Sequence, residues 1–305
     1  MKFGITLPIL RNVEPHANIE IGKKAEELGF DSIWASDHIV LPNKYIGRFT
    51  ETFYDPFVLL ASIAAHTSKI KLGTSVIVLP YRNPIAVAKA AVTLDTLSNG
   101  RLICGVASGW LKEEFDILGV SFDERGKRTD EYIRIFKELW EKDEPNFEGE
   151  FYSFSDIKFY PKPHQKPRPP IWIGGNSRKA IRRAVELGDG WQPVWLSPEE
   201  MERELNYLKS FAKELGREPS TLVFSLRNRL RIPDTGEKQD RKMEAREREH
   251  PFLFYGAPEE IIGYIQRFKD IGVSHILLDV LARSDKEMFD MMERFSHEIM
   301  PAFRD

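Results

Sequence analysis

The pair Asp37-His38 in "WASDHIVLPN" stands just past an apolar run that reads as a strand. Histidine has an ordinary pKa near neutrality, so His38 is a candidate proton donor or acceptor, with Asp37 beside it as a group that could orient a ligand. The same two residues also read as an N-capping aspartate and a hydrogen-bonded histidine. In "GVASGWLKEEFDILG", Ser108 and Gly109 form a polar turn where backbone N–H groups can approach a ligand. Trp110 and Phe115 in that stretch either cover a pocket or pack the following helix. In "WIGGNSRKAIRRA", Gly174, Gly175, Asn176 and Ser177 lie between an apolar strand and a helix start. Free N–H groups and the helix dipole suit a phosphate there, although a tight turn with an Asn or Ser cap has the same pattern.

A fourth stretch, "LGTSVIVLPYRNP", places Gly73, Thr74 and Ser75 in a strand where Val or Ile would pack better. The expectation is that a flat cofactor ring lies against this backbone. The alternative is an ordinary β-bulge beside Gly73.

Other chemistries find little support. His16, His66, His164, His250, His275 and His297 are scattered, with no H-x-H or H-E-x-x-H spacing, so no catalytic metal is expected. No G-x-S-x-G elbow or P-loop occurs, which argues against hydrolases and kinases. The one cysteine, Cys104 in "RLICGV", reads as a buried inert thiol.

The elements that must carry these residues alternate. Strands are expected at "KFGITLP", "DSIWAS", "IKLGTSVIV", "RLICGVA", "PIWIGG", "GWQPVW", "TLVFSLRNRLRI" and "SHILLDV". Helices are expected between them and after the last, from Asp285 to about Phe303. Asp55-Pro56 reads as an N-cap followed by a first-turn proline. Eight strand–helix units imply parallel strands with right-handed crossovers, closing into a (β/α)8 TIM barrel. An open doubly wound sheet would announce a G-x-G-x-x-G turn after the first strand, and "ITLPILRN" has none. The chain reads as a single domain over 1–305, with loop insertions at about 41–54, 144–170 and 233–257. The middle one suggests a hairpin followed by an extended Pro-rich segment, and the first and third would enclose a pocket.

Composition is that of an ordinary globular protein, with 42% hydrophobic and 30% charged residues among 305. A net charge of −3 gives no reason to expect nucleic acid or an anionic membrane as partner. The basic runs "RNRLRI" and "DRKMEARERE" alternate along a strand or mix with acids, the pattern of a solvated face. The lack of a disulfide framework, signal peptide or long apolar span leads to the expectation of a cytoplasmic protein acting on a small-molecule substrate.

Taken in order, "GITLP", "AEELGFDSIWASDH", "IKLGTSVIVLPYRNP", "LDTLSNGRLICGVASGW", "RTDEYI", "PPIWIGGNS" and "LGDGW" resemble the bacterial luciferase-like superfamily of flavin and deazaflavin oxidoreductases. The resemblance spans nearly the full length and is closest to the branch that uses coenzyme F420, a phosphate-bearing 8-hydroxy-5-deazaflavin that carries hydride. It implies a non-prolyl cis peptide at Ser75–Val76, in a bulge over which the ring bends. It further implies that Asp37 hydrogen-bonds the ring, His38 sits at its reacting face, and Ser108 and Gly109 contact the sugar-alcohol tail. Gly174, Gly175, Asn176 and Ser177 would hold the phosphate. Arg125 and Arg128 could reach the tail, or form salt bridges with Glu131 or Asp123.

The reaction so implied is hydride transfer between the deazaflavin C5 and a small organic substrate, with His38 as proton-transfer residue. The alternative within the superfamily is an FMN-dependent monooxygenase using reduced flavin and O2. Many of those enzymes carry a tyrosine one turn before the motif arginine, where this chain has Gly126, a departure that weakens FMN. A non-catalytic flavin-binding protein is a third possibility. Lys44, Arg48, Arg229 and Arg283 could meet an anion, but no basic trio marks a sugar phosphate, so glucose 6-phosphate is not expected. The family commonly forms homodimers through helices two and three, here "FVLLASIAAH" and "IAVAKAAVTLDTL". Trp34, Trp110 and Trp172 are expected near the pocket.

Overall fold

The computed structural model describes residues 1–9, 13–46, 49–233 and 253–304. Strands β1 (Lys2–Thr6), β2 (Ser32–Ala35), β3 (Lys71–Thr74) and its continuation β4 (Ile77–Val78), and β5 (Leu102–Ala107) form the first half of a parallel sheet. A small antiparallel hairpin, β6 (Phe147–Glu148) with β7 (Ser153–Phe154), precedes β8 (Ile171–Gly174) and β9 (Gly190–Gln192). Strand β10 (Val223–Arg231) pairs with β9 on one side and with β12 (His275–Val280) on the other, and β12 pairs with β1. That last ring of pairings closes the barrel. A short β11 (Phe254–Tyr255) adds to the far end of β10.

Helices α1 (Pro15–Glu27), α2 (Pro56–Ala64), α3 (Pro84–Leu97), α4 (Lys112–Ile117), α5 (Arg125–Glu141), α6 (Arg178–Leu187), α7 (Pro198–Glu214), α8 (Pro258–Asp270) and α9 (Asp285–Arg294) join the strands. Several starts are written locally in the sequence. Asp55 accepts the N–H groups of Phe57 and Val58 at 3.0 and 3.2 Å, ahead of Pro56. Asn83 caps α3 in the same way, and Ser197 with Glu200 forms a capping box on α7. The last helix is shorter than its periodicity suggests. It leaves α geometry at Phe295, passing through a π turn and then a 3-10 turn at Met300–Phe303. Pro301 lacks the N–H that an α-helix would require there.

The barrel interior corrects one expectation about Gly73. A Cβ there would sit 2.0 Å from Cε3 of Trp34, so the missing side chain makes room for an indole inside the barrel rather than for a cofactor. Trp34 is fully buried, lies 5.2 Å from Trp172, and donates to Ser32 Oγ at 2.7 Å. Ser32 Oγ in turn lies 2.8 Å from His275 Nε2. Burial pushes His275 down to about 3, so it stays neutral in this packed interior. Trp34 and Trp172 therefore fill the barrel core.

Two of the three expected insertions fall largely within the described residues. In the first, a 3-10 turn at Asn43–Tyr45 and a bridge between Ile46 and Phe49 bring aromatic residues to the C-terminal mouth. Residues 144–170 leave the far end of α5, and their hairpin runs back along that helix to its first turns, where Lys127 pairs with Glu150 and Arg128 lies over Phe151. There the Glu131 carboxylate accepts the N–H groups of Glu150, Phe151 and Tyr152 at 2.7, 3.0 and 2.8 Å. Most of the third expected insertion, residues 234–252, lies outside the described residues, as does Arg48. Among the described residues, no helix is long and apolar enough to cross a membrane, and no cluster could hold a metal ion.

Candidate active site

Seven strand ends and their loops surround a cavity of about 510 Å³ at the C-terminal mouth. Asp37 and His38 line it after β2, Ser75 and Val76 after β3, Ser108 and Gly109 after β5, and Gly174 through Ser177 after β8.

The floor is the Ser75–Val76 peptide, which is cis as expected. Ser75 is gripped from several directions. Its N–H donates to Ala35 O at 2.8 Å, its Oγ donates to Gln192 Oε1 at 2.8 Å, and its carbonyl accepts Arg227 Nη1 at 2.6 Å. Arg227 is itself fixed by the buried Asp279, at 2.9 and 3.1 Å from Nε, and it donates to Ser36 Oγ at 3.0 Å. Thr6 completes this network through a hydrogen bond to Asp279. The "RNRLRI" stretch is thus not a solvated face. Arg227 and Arg231 are buried and paired with Asp279 and Glu287, because alternate residues of a barrel strand point inward.

Asp37 faces the same bulge from β2. Its carboxylate accepts the Val78 N–H at 2.9 Å and a two-pronged contact from Arg82 at 2.6 and 2.9 Å. Burial pushes the Asp37 carboxyl above its ordinary range, and the Arg82 guanidinium pulls the other way. Arg82 also reaches Asp55, the N-cap of α2.

His38 turns Nδ1 to Glu114 Oε2 at 2.7 Å. Glu114, wholly buried on α4, also accepts the N–H groups of Ile39 and Val40 at 2.7 and 3.1 Å and the Tyr81 hydroxyl at 3.0 Å. Burial alone would raise the Glu114 pKa, but the contact with His38 and these backbone donors outweigh it and hold the carboxyl below its usual value. An ionised Glu114 selects the tautomer of neutral His38 that carries its proton on Nδ1, so Nε2 is the nitrogen left for a bound molecule. Burial and the neighbouring Glu114 push the Tyr81 phenol upward, keeping it a donor.

At the other end of the cavity, Gly109 and Gly175 have φ of +79° and +124°, conformations that favour glycine. The Asn176 amide clasps Val194 through both its N–H and carbonyl, at 2.9 and 2.8 Å, and Ser177 caps α6 by accepting the Ala180 N–H. Arg125 lines this end, while Arg128 pairs with Glu124 rather than Glu131 or Asp123.

The luciferase-like monooxygenase family model matches residues 1–275. The chain belongs to that family. Among curated relatives of this luciferase-like chain is the F420-dependent glucose-6-phosphate dehydrogenase of Amycolatopsis mediterranei (strain U-32), 28% identical over 95% of both chains. The oxygenase component of the flavin-dependent trigonelline monooxygenase of Acinetobacter baylyi is 33% identical over 63% of this chain and 52% of its own length. Monooxygenase RslO1 from Streptomyces bottropensis shares the fold, with a TM-score of 0.87 and 22% identity over the whole of both chains. The family is enzymatic, and these relatives support a deazaflavin or flavin cofactor.

The luciferase-like cavity fits such a group by one independent observation. Gln192 Nε2 is buried against the cavity with no hydrogen-bond partner, a donor available to a carbonyl of a planar heterocycle laid over Ser75–Val76. Sequence reading missed Gln192, Glu114, Arg82 and Arg227. Of these, Arg82 alone had a local cue, standing in "LPYRNP" beside the bulge. Trp195 lines the cavity together with Trp110, whereas Trp34 and Trp172 do not.

Proposed function

We propose that this protein is an F420-dependent oxidoreductase, moving a hydride between the deazaflavin C5 and a small organic substrate. The observation that carries this reading is the His38–Glu114 pair on the cavity wall. Interconverting an alcohol and a carbonyl moves a proton on oxygen together with the hydride, so the reacting oxygen needs a partner that can take or give that proton. His38 Nε2 is that partner, and Glu114 holds the ring and stabilises it when protonated. The bound coenzyme supplies the hydride acceptor or donor.

The chain's other residues bind and orient. Asp37, with Arg82, fixes the bulge on which the ring rests, and Gln192 donates to the ring's polar edge. Ser108 and Gly109 meet the tail. Gly174 through Ser177 meet the phosphate at the start of the ten-residue α6: the Gly175 N–H is taken by Gln192 O, and Asn176 and Ser177 offer backbone N–H groups at the positive end of the helix dipole, with Arg125 alongside. Support also comes from the dehydrogenase relative, which aligns over nearly the whole of both chains.

The second reading, an FMN-dependent monooxygenase, is favoured by the 33% identity to the trigonelline monooxygenase component. Parallel titrations of purified protein with F420 and with FMN, followed by quenching of tryptophan fluorescence, separate the two. Tight binding of F420 alone is the expected result. Binding of FMN alone would overturn it and make oxygen uptake the relevant assay.

A further inference from the structure

We propose that the reactant seated beside His38 is an uncharged, mainly apolar molecule presenting one oxygen function, selected by Phe49, Phe53 and Trp110. This extends the cofactor reading above to the second substrate and rests on it for the placing of the coenzyme.

The His38 ring has aromatic neighbours on several sides, with centroid separations of 4.9 Å to Phe53, 6.0 Å to Phe49 and 6.3 Å to Trp110. Tyr45 closes on Trp110 from outside at 5.6 Å. Trp110 is 52% exposed, so its indole stands open at the mouth of this alcove. An apolar body placed there is favoured by the aromatic surface it removes from water. A phosphate or carboxylate would have to shed its hydration with no free compensating charge among the described residues.

Among the described residues, the charges that could compensate are engaged elsewhere. Among the described residues lining the cavity, the basic ones are Arg125 and Arg227. Arg227 is bound to Asp279, Ser36 and the Ser75 carbonyl; its Nη2 has no hydrogen-bond partner, but it lies 2.9 Å from the Asp279 carboxylate, which already neutralises the charge. Arg125 lies over the Phe122 ring at 3.7 Å and donates to Phe122 O at 2.8 Å. It adjoins Gly126, whose carbonyl accepts Arg183 of α6, and so belongs to the end of the cavity assigned to the coenzyme phosphate. Lys44, the described base of the first insertion, is ion-paired with Glu113 and lies over Tyr45. Ser36 Oγ accepts from Arg227, and the group beside the three aromatic rings that can exchange a proton with a single oxygen is His38 Nε2.

The test is calorimetric titration of cyclohexanone, its ring-carboxylated analogue 4-oxocyclohexanecarboxylate, and glucose 6-phosphate into protein saturated with whichever of F420 or FMN it binds. The neutral ketone should bind at least about tenfold more tightly than either anion, a difference of about 1.4 kcal/mol. Phe49→Lys should reverse the order between the ketone and its carboxylated analogue. Equal or tighter binding of either anion to the unaltered protein, or no binding of the ketone, overturns the proposal. If neither cofactor binds, the cofactor reading fails, and the same titrations into the protein alone still decide the alcove's preference.

Discussion

His38 Nδ1 lies 2.7 Å from a carboxylate, Glu114, that has no exposure to solvent. Because Glu114 also takes two backbone N–H groups and the Tyr81 hydroxyl, it has donors on every side and no reason to accept a proton itself. The pair therefore behaves as an oriented imidazole whose second nitrogen faces the cavity.

Glu114→Gln tests that orientation. An amide can still accept the Ile39 and Val40 N–H groups with its oxygen, but its NH2 group then opposes Nδ1 and favours the tautomer protonated on Nε2. We expect kcat to fall by about 10²–10⁴-fold, as when a general acid–base is lost, with the cofactor Kd unchanged by fluorescence titration. His38→Ala should abolish turnover and likewise spare cofactor binding. An unchanged steady-state rate in either variant would remove the proton-transfer role.

Arg82→Ala leaves the Asp37 carboxylate buried without its counter-ion. Removing one partner of a buried pair costs about 3–5 kcal/mol, and Arg82 is 19% exposed against none for Asp37. A loss near the lower end, about 3 kcal/mol, is expected in urea unfolding. Cofactor affinity should weaken too, since Asp37 anchors Val78 next to the ring's floor.

Gly73→Ala separates barrel packing from cofactor approach. The added methyl would stand 2.0 Å from Trp34 Cε3, so overpacking should cost about 2–3 kcal/mol. Trp34→Phe combined with Gly73→Ala should recover part of the lost Tm, because the smaller ring vacates the space. If the double variant is no more stable than the sum of the singles, the packing account is wrong.

Acid sensitivity should depend on Glu26 at the end of α1. Its carboxylate accepts the N–H groups of Ser68, Lys69 and Ile70 at 2.9, 2.6 and 2.8 Å, tying the loop that leads into β3. Partial burial works to raise its pKa, but these donors prevail and hold it below the ordinary 4.5. A carboxyl lowered by folding contributes stability that is complete above its unfolded value and is lost as pH falls through its folded one. Glu26→Ala should thus cost about 1–2 kcal/mol at pH 7. Its gap from the unaltered protein should close on acidification below about pH 4, as read by Tm against pH. A gap independent of pH would mean that the carboxylate is not what matters.

Much of the scaffold was legible from short-range chemistry. Strand–helix alternation, the Asp-Pro and Asn-Pro helix starts at Asp55 and Asn83, and the position of Asp37-His38 just past β2 are local properties. Local physics fixes them through backbone propensity, capping and side-chain periodicity. The resemblance added the bulge at Ser75–Val76, which propensity by itself would not give.

Tertiary structure decided which of several equivalent side chains became part of the site. Glu113 and Glu114 are adjacent acids on one short helix, yet Glu113 pairs with Lys44 at the surface while Glu114 turns inward to a histidine 76 positions away. Arg227 looked solvated in an alternating basic stretch, but barrel closure put it inside beside Asp279, 52 positions away. Gly73 suited either a ligand or a packing role, and the occupant came from the neighbouring strand as Trp34. Sequence determines what each residue can do locally. Which partner it meets depends on contacts between strands and helices remote in the chain, and those exist only once the barrel has closed.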